Sequence, residues 1–288
     1  MSDPSSASHP KRCVLVTGSA GAVGRVVVGA LQTAGHEVRG LDRQAHGALR
    51  HETLGDIAEA ETWREAFAVV DGESTIDTLV HLAAYPLAKG RFLEDLLGPN
   101  VVGLYRALEV AAEHGLRRVI LTSTVQTVGG WKGSGPTPVD VHAPTNFYAA
   151  TKCFAEDLGA VFARKRLPSV IAARIGWFTR NREEVDLMRK DRHSQRMFVS
   201  PGDLGRFFVC AVGADHAGFG AYWCMGAGPP PESPADPPPS SPYDLEPGQR
   251  DLVFTPSDRF PEGLDPSWFE PEVSPIPAVV SAPNEEKS

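Results

Sequence analysis

The sequence predicts a doubly wound α/β fold, a parallel sheet covered by helices on both faces. Three observations carry this. Short β-branched apolar runs alternate with amphipathic helical patterns from about Lys11 to Gly228. The runs are apolar at consecutive positions, as in strands buried on both faces. A glycine-rich turn joins the first run to the first helix.

The elements follow in order. "RCVLVTG" ends in Gly18 and reads as a buried strand. "AVGRVVVGALQTAG" reads as a helix with Gly35 at its C-terminal cap. "HEVRGLD" is a second strand, "AETWREAFAVV" a helix and "IDTLVHLAA" a strand. "NVVGLYRALEVAAEHG" is a helix opening at Asn100 and closed by Gly115, followed by the strand "LRRVILTST". "FYAATKCFAEDLGAVFARK" is a long helix and "PSVIAARIG" a strand. "SPGDLGRFFVCAVGAD" is a helix with Ser200 as N-cap and Pro201 in the first helical position. "GAYWCMG" closes the series.

After Gly228 the alternation stops. "PPPESPADPPPSSP" (229–242) excludes helix and central strand and reads as a stiff linker. Residues 243–270 regain apolar anchors and are expected to pack on the body as a short substrate-side extension. Residues 1–10 and 271–288 read as disordered. The expectation is one main domain over 11–228.

The formal net charge of −8 is uneven, since Pro229 to Ser288 holds twelve Asp/Glu against three Lys/Arg. The body is nearly neutral, without the clustered basic patch of a nucleic-acid binder. No run has the length of a membrane span, and "MSDPSSASHPKR" lacks the apolar stretch of a signal peptide. The four cysteines show no CxxC spacing and read as buried thiols in a reducing, cytoplasmic setting. No His/Cys/Asp cluster has metal-ligand spacing, so no metal is expected.

"VTGSAGAVGR" places Gly18, Gly21 and Gly24 between strand and helix. Such glycines let the backbone approach a pyrophosphate, whose charge meets the helix N-terminus, with Ala22 and Val23 in the first turn. Asp42 ends the second strand, where a carboxylate binds the ribose hydroxyls and repels a 2′-phosphate, favouring NAD; the alternative is a solvated strand-end charge. Asp56 and Ile57 lie where the loop after a third strand would reach the adenine, although Asp56 suits a helix N-cap equally well.

Tyr148 and Lys152 stand one helical turn apart and share a face. A phenol has a reference pKa near 10, and a neighbouring ammonium favours its anion, which makes Tyr148 a candidate acid–base. Ser123 and Thr124 end a strand 24 residues earlier, at the sheet edge where active sites form.

Together, "TGSAGAVG" at Thr17–Gly24, "HLAA" at His81–Ala84, Asn100, "LTST" and "YAATK" resemble the extended short-chain dehydrogenase/reductase (NAD-dependent epimerase/dehydratase) family. The resemblance runs from about Lys11 to Gly228 and implies a Rossmann fold, NAD(P) binding, with Asp42 favouring NAD, and a homodimer. It implies Thr124 as the hydroxyl orienting substrate, Tyr148 as acid–base, Lys152 on the nicotinamide ribose, and Asn100 ordering the site, unless Asn100 is a helix N-cap. Ala83 would line the cofactor site. Ser123 and Gln126 would face the substrate, and His81 would be a packed strand histidine. Dimerisation in such enzymes uses apolar stripes, here Val101, Leu104 and Leu108 with Phe154, Leu158 and Phe162.

Within that family the chain looks most like the uronate dehydrogenases, which oxidise the anomeric carbon of a uronic acid. Arg174 matches the arginine that binds the substrate carboxylate; the alternative is a strand-end arginine salt-bridged within the fold. The uronate enzymes have Asn-His where this chain has Val125-Gln126, and a serine where it has Pro86. Both changes remove polar contacts to sugar hydroxyls. Trp131 and Trp177 either line a more apolar pocket or pack in the core. The expected function is an NAD-dependent dehydrogenase acting on a secondary alcohol or hemiacetal, a sugar acid among the candidates. The alternatives are a nucleotide-sugar epimerase or dehydratase, and a non-catalytic NAD-binding regulator. Val125 lacks the acidity a dehydratase needs after its threonine, and the retained Tyr148 and Lys152 favour catalysis.

Overall fold

Strands β1 (Cys13–Thr17), β2 (Glu37–Asp42), β3 (Glu52–Leu54), β4 (Thr78–His81), β5 (Arg118–Thr124), β6 (Ser169–Ile175) and β7 (Gly218–Cys224) form one sheet. Their spatial order is β3-β2-β1-β4-β5-β6-β7, and every pairing is parallel. This computed structural model describes residues 10–68, 74–229, 231–233 and 241–265. The expected end of the second helix (69–70), the N-terminus to residue 9, most of the proline-rich linker and the tail from 266 lie outside the described residues. The strand order reverses between β1 and β4, which opens a crevice at their C-terminal ends.

Apolar strands dictate the two layers. All residues of β1 and β6 are buried. On one face, α1 (Ala22–Thr33) and α7 (Pro201–Gly213) bring Val27, Val28, Leu31, Phe207 and Phe208 against Val14, Val16 and Ile171. On the other, α2 (Ala60–Ala66), α3 (Leu104–Glu113) and α4 (Phe147–Lys165) bring Trp63, Leu104, Leu108 and Phe162 against Leu15, Leu79 and Val119. Each such side chain contributes about 1.5–3 kcal/mol on leaving water. Ser200 caps α7 by accepting from the Asp203 N–H at 2.9 Å, with Pro201 in the first turn. Asn146 caps α4 by accepting from the Ala149 N–H at 2.8 Å.

The helix expected from Asn100 starts earlier. Residues Phe92–Gly103 wind as a π-helix, with Pro99 inside it, and lead into α3. Asn100 is therefore an interior helical residue and caps nothing. Two helices carry too little apolar pattern to read from sequence, α5 (Arg182–Lys190) and the single turn α6 (Arg192–Gln195). Val185 and Met188 are the buried apolar residues of α5.

The expected dimer stripes are divided. Leu104, Leu108 and Phe162 are buried in the protein's own core, and Leu158 packs beside them. Phe154 is 40% exposed, next to Val102, Tyr105 and Val161 on the outer faces of the same helices and the π-segment.

Residues 241–265 lie on the body. Tyr243 bridges to Thr137 and packs on Trp223, with ring centroids 4.7 Å apart. The short helix α8 (Glu246–Leu252) and the residues after it deliver Leu252 and Phe254 to the α1/α7 core. Phe260 and Leu264 meet Val185, Met188 and Phe198. The fully buried Asp203 carboxylate accepts the Ser257 and Asp258 backbone N–H groups at 3.0 and 2.9 Å.

Candidate active site

The glycine turn forms a cradle. Gly18 has φ +71°, and a Cβ there would stand 2.8 Å from the Ala83 nitrogen. A Cβ on Gly24 would stand 2.0 Å from the Gly18 oxygen, so only glycine lets α1 start this close to the turn. Gly21 precedes α1, and no side chain caps the helix, so the Ala22 and Val23 N–H groups are left to a ligand. The Asp42 carboxylate rises from the end of β2 and accepts from Ala20 N at 3.0 Å and Gln44 N at 3.1 Å. It thus fixes the turn and stands at its rim. Ala83 N donates to the Thr17 hydroxyl at 3.2 Å. Ile57 is buried against Gly103, and its carbonyl accepts from Trp63 Nε1 at 2.8 Å. Asp56 is exposed and accepts from Ala58 N at 2.8 Å, while Glu59 occupies the cap position of α2.

The same sheet edge holds the hydroxyl pair. Thr124 ends β5 and Tyr148 stands in the first turn of α4, near enough for the threonine side chain to favour the phenolate. The Thr124 hydroxyl also accepts from Gln126 N at 3.3 Å. Burial pushes the Tyr148 phenol up to about 12, opposed by the Thr124 side chain and by the charge of Arg180. Lys152 is buried one turn on, its Nζ 5.8 Å from the Tyr148 ring centroid. It donates to the Thr122 carbonyl at 3.0 Å, and burial pulls its pKa down to about 8.

Asn100 clasps Tyr85, accepting from its N–H at 2.7 Å and donating to its carbonyl at 3.2 Å. Its Nδ2 also donates to the Thr151 hydroxyl at 3.1 Å, which ties the π-segment to α4 beside Lys152. His81 is a packed strand histidine. Its Nδ1 meets the Thr17 hydroxyl at 2.9 Å, and burial with the Lys152 charge lowers its pKa to about 3.

A second polar cluster lies beneath the hydroxyl pair, centred on Glu156 one turn beyond Lys152. Arg174 donates from Nε and Nη2 to the two Glu156 oxygens at 2.8 and 2.7 Å. Ser123 donates its hydroxyl to Oε1, and His142 Nε2 lies 2.7 Å from Oε2. Burial pushes the Glu156 carboxyl up, but the hydrogen bonds from His142, Arg174 and Ser123 outweigh it and hold the pKa below the usual range. Arg174 is 0% exposed and stacks 5.1 Å over Trp223. Of the residues expected at the substrate, Ser123 and Arg174 therefore turn to Glu156. Gln126 is partly exposed, and its side-chain oxygen accepts from Asn146 Nδ2 at 2.9 Å. Trp131 packs with Val125, Val128 and Trp223, and Trp177 with Val185 and Phe198.

Sequence reasoning missed Glu156, His142 and Arg180. Glu156 had a signal: it continues the i, i+4 series from Tyr148 and Lys152 on a face that is otherwise buried. His142 and Arg180 stand in irregular segments, where no periodicity marks them.

The chain's own residues fit a dinucleotide. The glycine cradle and uncapped helix suit a pyrophosphate, and Asp42 suits a diol. Lys152 has three donors and, among the described residues, one hydrogen-bond partner, so its buried ammonium has room for ribose oxygens.

Comparisons with known proteins place the chain in a family and a fold. A uronate dehydrogenase of Pseudomonas putida is 28% identical over 177 residues, 58% of this chain. That aligned stretch is 61% of the relative's own length. An NAD-dependent glucose-6-phosphate dehydrogenase of Haloferax volcanii is 25% identical over 221 residues, 70% of this chain and 81% of that one. The crystal structure of a glucuronic acid dehydrogenase from Chromohalobacter salexigens superimposes with a TM-score of 0.69 at 26% identity, covering 86% of this chain and 85% of that one. The model of the NAD dependent epimerase/dehydratase family matches residues 14–176, from β1 to the end of β6. That is more than half of the residues, and the chain belongs to this family.

Proposed function

We propose that the protein is an NAD-dependent dehydrogenase of the extended short-chain type, acting on a secondary alcohol or hemiacetal carbon of a sugar or sugar acid. The observation that carries the reading is the burial of Tyr148 and Lys152 one helical turn apart, near Thr124 at the end of β5, with the glycine cradle on the same sheet edge. The bound dinucleotide would supply the hydride acceptor and a positive charge beside the phenol.

The chain does the rest. Thr124 and Tyr148 hold the substrate hydroxyl between them. As the C–H hydrogen leaves with its electron pair, the O–H proton passes to Tyr148 Oη and a C=O bond forms. A hemiacetal gives a lactone, and a secondary alcohol gives a ketone. With its pKa at about 12 the phenol starts protonated, so oxidation requires the proton to leave Tyr148 first. Lys152 Nζ is pulled down to about 8 by burial and would hold the ribose of the bound dinucleotide. Asn100 holds the loop at Tyr85 against α4 and keeps Lys152 in place. Asp42 supports NAD over NADP.

Four free cysteines, three of them buried, support a reducing, cytoplasmic setting. Among the described residues no helix is long and apolar enough to cross a membrane. The exposed side chains of Val102, Tyr105, Phe154 and Val161 support a homodimer built on α3 and α4. Light scattering that finds a dimer at micromolar concentration agrees with this, and a monomer does not. NADH formation on a panel of uronates, sugar phosphates, neutral sugars and simple alcohols tests the activity. Reduction of NAD by at least one sugar class is expected. Tight NAD binding with no turnover on any member would favour a regulatory role.

A further inference from the structure

Two neighbouring strands and an irregular segment meet on one buried carboxylate of α4. Ser123 and Arg174 are register partners in β5 and β6, one residue before Thr124 and Ile175. Both turn to Glu156, where Ser123 donates its hydroxyl to Oε1 and Arg174 donates to both oxygens. His142 comes to Oε2 from the irregular segment between β5 and α4. That segment is folded back on the end of β5, since Ala143 N donates to the Thr127 carbonyl at 2.7 Å and Gly130 N to the Ala143 carbonyl at 2.8 Å. Glu156 lies two turns along the same face of α4 from Tyr148, about 12 Å at the usual rise of ~1.5 Å per residue. A helix held at Glu156 is thereby held at Tyr148 as well. The Glu156 side chain is 3% exposed and that of His142 28%, so protons reach the cluster through His142.

We propose that Glu156 is a positioning residue for the reaction, setting Thr124 against Tyr148 through Ser123, and that His142 is the member of this lock that responds to pH. The inference rests on the dehydrogenase reading above. The charged groups that face the His142 ring are Glu156 and Asp157 from α4, the latter 3.9 Å from Nδ1, and Arg174 from β6. The hydrogen bond to Glu156 raises the His142 pKa above the ordinary 6.5, Asp157 adds to the effect, and burial and Arg174 oppose it. A raised folded value means that the charged contact is complete at low pH and fades as pH rises through that value. Glu156 then keeps Ser123 and Arg174 but loses the second cation that holds it, and the end of β5 is held less firmly.

The test uses Ser123→Ala, which frees β5 from the carboxylate and leaves the buried ion pair whole, together with His142→Gln. Each full-length chain carries methyl-labelled threonine, and the Thr124 methyl and the His142 ring are followed by NMR as pH is raised through the His142 titration. In the wild type the Thr124 signal should move with the ring. In Ser123→Ala the ring should still titrate while the Thr124 signal no longer follows it, and in His142→Gln the step should vanish. Turnover is measured with NAD and glucuronate or, where the wild type does not oxidise it, with the panel sugar that it oxidises fastest. In Ser123→Ala kcat should fall roughly 10-fold with KM for NAD unchanged, short of the ~10²-fold that a misplacement of about 1 Å can cost. A Thr124 methyl that stays still while the wild-type His142 titrates would overturn the proposal, and so would an unchanged kcat in Ser123→Ala. If the wild type turns over no sugar, the dehydrogenase reading fails, and the methyl titration alone decides whether Glu156 and His142 hold Thr124.

Discussion

Glu156 and Arg174 form a two-pronged ion pair sealed from solvent, with Nε–Oε1 at 2.8 Å and Nη2–Oε2 at 2.7 Å. One partner comes from α4 and the other from β6. The pair sits directly under Ser123, the neighbour of Thr124, so it ties together the segments that carry the hydroxyl pair.

Breaking this pair from one side leaves a buried charge alone. Glu156→Leu should destabilise the fold by about 3–5 kcal/mol, and Glu156→Leu with Arg174→Met should recover most of that loss. Denaturant unfolding of the two single variants and the double variant checks it. Simple additivity of the single losses would contradict the coupling.

His142 supplies a pH signature. Its hydrogen bond to Glu156 raises its pKa above the ordinary 6.5, against burial, which lowers it. A raised folded value means the stabilisation is complete below the unfolded pKa and fades as pH rises through the folded one. The stability gap between wild type and His142→Gln should therefore be widest near pH 6 and shrink toward pH 9. An NMR titration placing the His142 ring below 6.5 would contradict this.

Much of the fold was legible because its signals are local. Consecutive burial in β1 and β6 leaves apolar runs, and the first turn of α7 is written in Ser200 and Pro201. The glycine cradle and the Tyr148–Lys152 spacing were equally plain. What was not legible depends on contacts distant in sequence. Arg174 offers its charge to Glu156, eighteen residues away, and nothing in "AARIG" distinguishes that from an arginine facing a substrate. The π-winding before Asn100 carries a proline that reads as a break. α5 buries only Val185 and Met188, which cluster with Phe260 and Leu264 of the C-terminal segment, while its third apolar residue, Leu187, faces solvent.

Asp42 is expected to govern cofactor choice. Asp42→Ala removes the carboxylate beside the cradle and its hydrogen bond to Ala20 N. NAD binding should weaken, and the preference for NAD over NADP should narrow. Steady-state kinetics with both dinucleotides measure it, and a wild-type preference for NADP would sink this role.

The C-terminal segment divides in its importance. A chain ending at Glu270 should melt as the full chain does, because the residues removed are proline-rich and acidic. A chain ending at Gly228 loses Leu252 and Phe254, 1% and 3% exposed, and leaves the buried Asp203 without the Ser257 and Asp258 N–H groups. It should show no cooperative melt. Equal melting of both shortened chains would assign residues 241–265 no part in the fold.

The most direct test of the central claim is Tyr148→Phe, assayed for turnover and for NAD affinity on the same preparation. The phenylalanine keeps the buried ring and removes the phenolic hydroxyl alone. Turnover should fall by at least about 100-fold, the lower range for a positioned proton transfer, with NAD affinity changed no more than a few-fold. Retention of more than about a tenth of wild-type turnover would contradict Tyr148 as the acid–base, since even the weakest such role exceeds that loss.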